Sequence, residues 1–273
     1  MAFHWRPDVA VPLGLAILIY ALGWTRLARR SPARRHAALS ARLALSLGGL
    51  VVVAVALLGL HDAAHERFLP HMVQHLLLMM VGVPALLLAD PFAAALWALP
   101  VAARRRIASL LTERAPARRA WRALTRLPVA WTLYALGLWL WHLPAAYDAA
   151  LASGWLHDLE HLTFAAAAVV FWWPVIGPAP RVAPPAAPAA RVVYLVLAAF
   201  SSSALGVLLA ASPVPLYAYG PSPAGAGLLE DQAWGGVVMW AVAGAIDMAA
   251  VLAVVARVVG GEGRRRAPAV GLP

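Results

Sequence analysis

The sequence predicts an all-α polytopic membrane bundle of seven transmembrane helices, with the N-terminus outside and the C-terminus cytoplasmic. Three observations predict it. The 273-residue chain is 63% hydrophobic and only 12% charged, about half the charged share of a soluble domain. Its apolar residues fall into long runs separated by Arg- and Pro-rich connections. Seven of these runs approach the ~20 residues that cross a ~30 Å hydrocarbon layer.

The first run, 9–27, is followed by Arg26, Arg29, Arg30, Arg34 and Arg35. A secretory signal carries its basic residues ahead of the apolar region and a cleavage site behind it. Here Arg6 is balanced by Asp8, so the run reads as a retained helix. The second, 43–61, ends in His61-Asp62-Ala-Ala-His65-Glu66, and the third, 68–89, opens with His71-Met-Val-Gln-His75. The stretch 91–103 is too short to span, is interrupted by Pro100 and ends in Arg104-Arg105-Arg106. It reads as an interfacial or re-entrant piece. The fourth run is 128–143, extending towards Tyr147, and the fifth is 156–176. A Pro/Ala-rich extended linker, 178–188, precedes the sixth, 192–211, and 233–255 is the seventh. No internal repeat is evident, and 1–273 reads as one membrane domain.

All 22 basic residues are Arg. With seven spans, the odd-numbered connections and the tail hold six, eight, two and four of them, leaving only Arg6 and Arg67 on the other side. The Arg-rich side is therefore cytoplasmic by the positive-inside rule. The net charge of +10 is a topology signal rather than a nucleic-acid footprint; the basic loop 90–127 reads first as part of that signal, with contact to anionic membrane lipid as the alternative. Cysteine is absent, which excludes disulfides, thiolate ligands and a Cys nucleophile.

With this topology the nine histidines become informative. His36 is cytoplasmic and His4 lies in the N-terminal tail. The other seven gather at the outer ends of four helices: His61 and His65, His71 and His75, His142, and His157 and His161. Imidazoles four residues apart share one helix face and reach one ion. Convergence from separate helices at one depth is what a metal site inside a helical bundle requires. Asp62, Glu66, Asp158 and Glu160 accompany them, as further ligands or as acceptors that fix the ring tautomers. Asp231 is another acid on that side. The competing reading is a polar, pH-titrating rim without metal.

Imidazole suits Zn, Cu, Fe and Ni, and thioether adds a preference for Cu(I). Met72 and Met79 lie about 100° and 80° around the helix from His71, with His75 between His71 and the two methionines, at about 40°. Met239 lies in the same outer half. That His/Met arc suits copper, with zinc as the alternative. Ordinary packing is the competing reading for each Met. Asp247 sits about fourteen residues into the seventh run, where a buried acid faces the bundle, a polar partner or a proton path.

Several pieces resemble the CtaG family of cytochrome c oxidase assembly proteins. They are His71-Met-Val-Gln-His75-Leu-Leu-Leu, Trp141-His142-Leu-Pro144 with Tyr147, His157-Asp-Leu-Glu160-His161-Leu-Thr-Phe164, Phe171-Trp172-Trp173-Pro174, Pro215-Leu216-Tyr217, and Asp231-Gln232 with Gly235-Gly236 and Met239-Trp240. They run in the family's order through helices three to seven. The family often has paired prolines late in helix three, where this chain has Pro84-Ala85. The resemblance implies a seven-helix plasma-membrane protein without turnover chemistry that handles copper for a haem–copper oxidase. Its partners would be oxidase subunits and a copper chaperone. It carries over His71, His75, His142, His157 and His161 as ligand positions, while His61 and His65 rest on spacing. The alternatives are a membrane zinc-dependent hydrolase and a haem-binding membrane protein. A di-iron lipid-modifying enzyme would place its His pairs on the opposite, cytoplasmic side.

Overall fold

The computed structural model describes residues 6–30, 36–220 and 227–266, without the side chains of 36–39 and 261–266. His4, Arg34 and Arg35 lie outside the described residues, as do the side chains of His36 and Arg264 to Arg266.

All regular structure among the described residues is helical: α1 (Pro7–Arg29), α2 (His36–Ala54), α3 (His61–Glu66), α4 (Phe68–Leu76), α5 (Val83–Leu88), α6 (Pro91–Ala98), α7 (Val101–Leu110), α8 (Pro116–Leu124), α9 (Leu127–Trp141), α10 (Pro144–Ala152), α11 (Gly154–Ile176), α12 (Pro188–Ala211) and α13 (Leu228–Arg266). Proline sets many of the starts. Pro7, Pro91, Pro116, Pro128, Pro144 and Pro188 each stand at the first or second helical position, where a missing N–H costs nothing.

Among the described residues, six helices are long and apolar enough to cross a membrane: Pro7–Arg29, Ser40–Gly59, Phe68–Leu88, Gly154–Ile176, Pro188–Ala211 and Leu228–Gly260. The fourth expected span is shorter than its reading of 128–143. α9 has 15 residues, about 22 Å at 1.5 Å per residue. It stops because Pro144 forces Leu143 into an extended conformation (ψ 131°). The stretch 91–103 is broken as expected, into α6 and α7, at Leu99 and Pro100, both extended. α6 lies against α1: a Cβ built on Gly23 would collide with the Ala94 carbonyl oxygen.

The apolar rod Phe68–Leu88 is the axis of the bundle. Its window is 67% buried, against 11% for Pro7–Arg29 and at most 44% for the others. The rod joins α4 to α5 through a π-helical stretch, Leu77–Gly82, and a second one, Val55–Gly59, ends α2. Such wide turns disturb the regular carbonyl pairing. Side chains from neighbouring helices answer it: Gln74 Nε2 donates to the Ala56 carbonyl at 2.8 Å, and Trp172 Nε1 to that of Met79 at 3.0 Å. α12 and α13 meet backbone to backbone. A Cβ on Gly236 would lie 2.5 Å from the Gly206 carbonyl oxygen, and one on Gly206 2.8 Å from that of Gly236, the close approach that small residues permit between membrane helices.

Candidate metal centre

The axis rod and α11 bring the histidines together. Asp231, at the start of α13, fixes where α4 begins. Its Oδ2 accepts the Phe68 and Leu69 N–H groups at 2.7 and 3.3 Å, capping two of the donors that a helix start leaves open. One turn on, His71 and His75 stack edge to face, with their Nε2 atoms 3.0 Å apart. α11 presents His157, Glu160 and His161 at the i, i+3, i+4 spacing of one face. Glu160 enters between the α4 imidazoles, 3.7 Å from His71 Nε2 and 3.8 Å from His75 Nε2. His71, His157 and Glu160 are 0% exposed, and His75, His142 and His161 are also buried.

Three sets of donor atoms each lie within 4.8 Å of one another: His61, His65 and His157; His71, His157 and His161; and His71, His75 and Glu160. Shared members make them one continuous cluster. Its donors suit a metal because so many lack another partner. Among the described residues no hydrogen bond reaches His75 Nδ1, either ring nitrogen of His157, His161 Nε2, His142 Nε2 or either oxygen of Glu160. Buried polar atoms are normally satisfied.

Outer contacts set the tautomers. His142 Nδ1 lies 2.7 Å from the Leu138 carbonyl, so it carries the proton and leaves Nε2 with a lone pair for a ligand. His65 Nδ1 does the same against the His61 carbonyl at 2.9 Å. His71 Nδ1 faces the hydroxyls of Tyr147 and Tyr219 at 2.8 and 2.9 Å, themselves 2.6 Å apart, and Tyr219 reaches the Ala64 carbonyl at 3.3 Å. One assignment of protons satisfies this chain: His71 Nδ1–H donates to Tyr147, Tyr147 to Tyr219, and Tyr219 to Ala64. His71 Nε2 is then free to accept, the arrangement that orients metal-binding imidazoles.

Tyr147 belongs to α10, whereas Tyr219 comes from a connection held on three sides. Asp148 Oδ1 accepts the Ala218 N–H at 2.9 Å, Gln232 Oε1 accepts that of Leu216 at 2.7 Å, and the Tyr217 hydroxyl donates to the His142 carbonyl at 2.9 Å.

His61 is held differently. Arg6 donates to its Nδ1 at 3.1 Å and to Asp158 at 2.6 Å, and also pairs with Asp8. Burial, then His65 and Arg6, lowers the His61 pKa to about 4. That contact places the ring proton on Nε2, so His61 is the least available of the seven imidazoles.

Residues 18–260 match the family described as cytochrome c oxidase caa3 assembly factor, Caa3_CtaG. The chain belongs to this family. No curated protein and no solved structure matches it. The match covers most of this Caa3_CtaG protein, including every histidine of the cluster and both partners of His71.

The remaining sequence candidates are spread out. Glu160 is inside the cluster. Asp158 sits at its edge, paired with Arg6; Asp62 is half-buried in α3 and Glu66 is exposed. Asp231 caps α4 instead of facing a histidine. Met72, Met79 and Met239 are buried and, with His75 and His142, line a separate small cavity. Asp247 is buried in α13, and its Oδ1 has no hydrogen-bond partner among the described residues. Sequence reasoning missed Tyr219 as a partner of His71. Tyr147 and Tyr217 stood in the family motifs, but nothing in the spacing assigned Tyr147 to a histidine.

Proposed function

We propose that this Caa3_CtaG protein binds copper through its histidine cluster and supports delivery of that copper to the metal centres of cytochrome c oxidase, without turnover chemistry of its own. Copper is cargo in this reading. One observation carries it: His71, His75, His142, His157, His161 and Glu160, from α4, α9 and α11, are buried together with seven unpartnered donor atoms between five of them. Imidazole and carboxylate without thiolate make an exchangeable site, and a delivery factor must release its metal. His65 extends the cluster outwards, and the carboxylate of Glu160 offsets the charge of the ion.

In this proposal α9 with α10 completes a seventh crossing of the plasma membrane. The N-terminus is outside, the C-terminus is cytoplasmic, and the cluster opens to the extracytoplasmic side. The Arg distribution supports that orientation. The partners are oxidase subunits and a copper chaperone.

Metal analysis of the purified protein after copper or zinc loading, beside a His71→Ala/His75→Ala variant, tests the site. The wild type should retain copper and the variant should lose it; equal copper in both removes this pair from the ligand set. Deleting the protein should lower oxidase activity, with partial rescue by added copper. Normal activity in the deletion refutes the assembly role.

A zinc-dependent hydrolase is the second reading. A cleft of about 480 Å³ between α1 and α11 ends on His161, a ligand-sized volume, and Glu160 stands where a general base would. Zinc in the purified protein, with hydrolysis lost and metal kept in Glu160→Gln, would favour that reading.

A further inference from the structure

Below the cluster, towards the middle of the bundle, lies a second enclosure. It has a volume of about 30 Å³, room for one water-sized guest and no organic ligand. Its lining is unusual for this chain. Of six methionines in the sequence, four line this one cavity: Met72, Met79, Met80 and Met239. His75 and His142 line it too.

These side chains are not merely neighbours in sequence. Met72 and Met79 come from the axis rod, Met239 from α13 and His142 from the end of α9. His142 Nε2 is buried with no hydrogen-bond partner among the described residues, and its proton is held on Nδ1 by Leu138. His75 directs Nε2 to His71 in the outer cluster, while its Nδ1 has no partner among the described residues. One imidazole thus adjoins both compartments. Met80 is engaged already, accepting the Tyr134 hydroxyl at 3.6 Å, which leaves three thioethers uncommitted.

We propose that this cavity is a second metal site, selective for monovalent copper, with His142 and the thioethers of Met72, Met79 and Met239 as its ligands and His75 as the bridge from the outer cluster. Thioether sulfur is a soft donor that favours Cu(I) over Zn and over hard cations. The outer cluster offers nitrogen and oxygen, which accept Cu(I) without selecting it, so the selectivity lies in the inner compartment. Transfer between them is ligand exchange at His75, with no change in oxidation state. The inference takes the identity of its cargo from the copper reading of the outer cluster; it assigns His142 Nε2 to the inner compartment, leaves His71, His157, His161 and Glu160 to the outer one, and shares His75 between them.

The test loads the full-length protein with Cu(I) under anaerobic conditions and reads stoichiometry together with X-ray absorption at the copper edge. The wild type should bind two Cu(I) per chain and show sulfur scattering. Met72→Leu/Met79→Leu/Met239→Leu, close to the native volume, should lose one Cu(I) and the sulfur signal while keeping the other. His71→Ala should keep the sulfur signal and lose the nitrogen-bound copper. A wild type whose copper sees only nitrogen and oxygen overturns the inner site whether or not the methionine variant folds. So does a sulfur signal that survives the triple substitution. Should His71→Ala bind two Cu(I) as the wild type does, the outer reading fails and the inner one stands.

Discussion

Two tyrosines serve one nitrogen of His71, and this arrangement makes a quantitative prediction. Both hydroxyls lie within 2.9 Å of Nδ1, so removing either leaves the other in place. Tyr147→Phe or Tyr219→Phe alone should weaken copper binding by no more than about threefold, under 0.7 kcal/mol. The double variant strips His71 of every outer partner. Losing the group that orients a metal-bound imidazole typically reduces affinity about 10- to 100-fold, or about 1.4 to 2.8 kcal/mol. Two singles at their limit sum to about the lower figure, so any loss in the double beyond about tenfold measures the non-additivity of the pair. Competition against a calibrated copper chelator, with all four proteins in the same detergent, measures each affinity. Wild-type affinity in the double variant refutes the assignment of these hydroxyls. Singles that each lose the full amount refute their redundancy.

Other consequences are accessible to simpler assays. Asp231→Ala removes the cap of α4 and should destabilise the protein by about 1–2 kcal/mol, read as a lower Tm. Gly236→Leu places a side chain 2.5 Å from the Gly206 carbonyl oxygen and should cost about 3 kcal/mol or more. Gly244→Ala, where a Cβ meets nothing within 4 Å, should be neutral or slightly stabilising. His61 titrates near 4 in the folded chain and near 6.5 when unfolded. The unfolded state therefore binds more protons between these values, and stability falls as pH drops from about 6.5 towards 4. Thermal unfolding at pH 7 and pH 5 should show a smaller decrease in His61→Asn than in the wild type.

Hydropathy read the long helices well because a bilayer demands continuous apolar runs, and those of α1 and α12 carry no charged residue over 9–25 and 192–211. It overextended α9, whose apolar residues run on to Leu143 while Pro144 ends the helix two residues earlier. The histidines were legible because spacing within a helix and charge between helices are both sequence properties. Tyr219 was not, since its place beside His71 depends on Asp148 and Gln232, distant in sequence, holding one connection. Asp231 shows the opposite limit. An acid among histidines reads as a ligand, yet its carboxylate answers the backbone of α4. The π-helical turns had no signal either, because their stabilising partners, Gln74 and Trp172, are ordinary residues until the helices pack.

The histidines differ in their contact with solvent, and that ordering has a chemical meaning. His61 and His65 are half-buried, His157 touches both them and His71, and His71 with Glu160 meets no solvent. In the proposed copper site, a hydrated cation travelling inward along this row would exchange water for nitrogen or carboxylate a donor at a time, dividing its dehydration into small steps. Ions such as Mg²⁺ that hold their water tightly and prefer oxygen would gain little from the first imidazoles. On this proposal the sorting of ions would begin at the rim, before the deepest donors are reached.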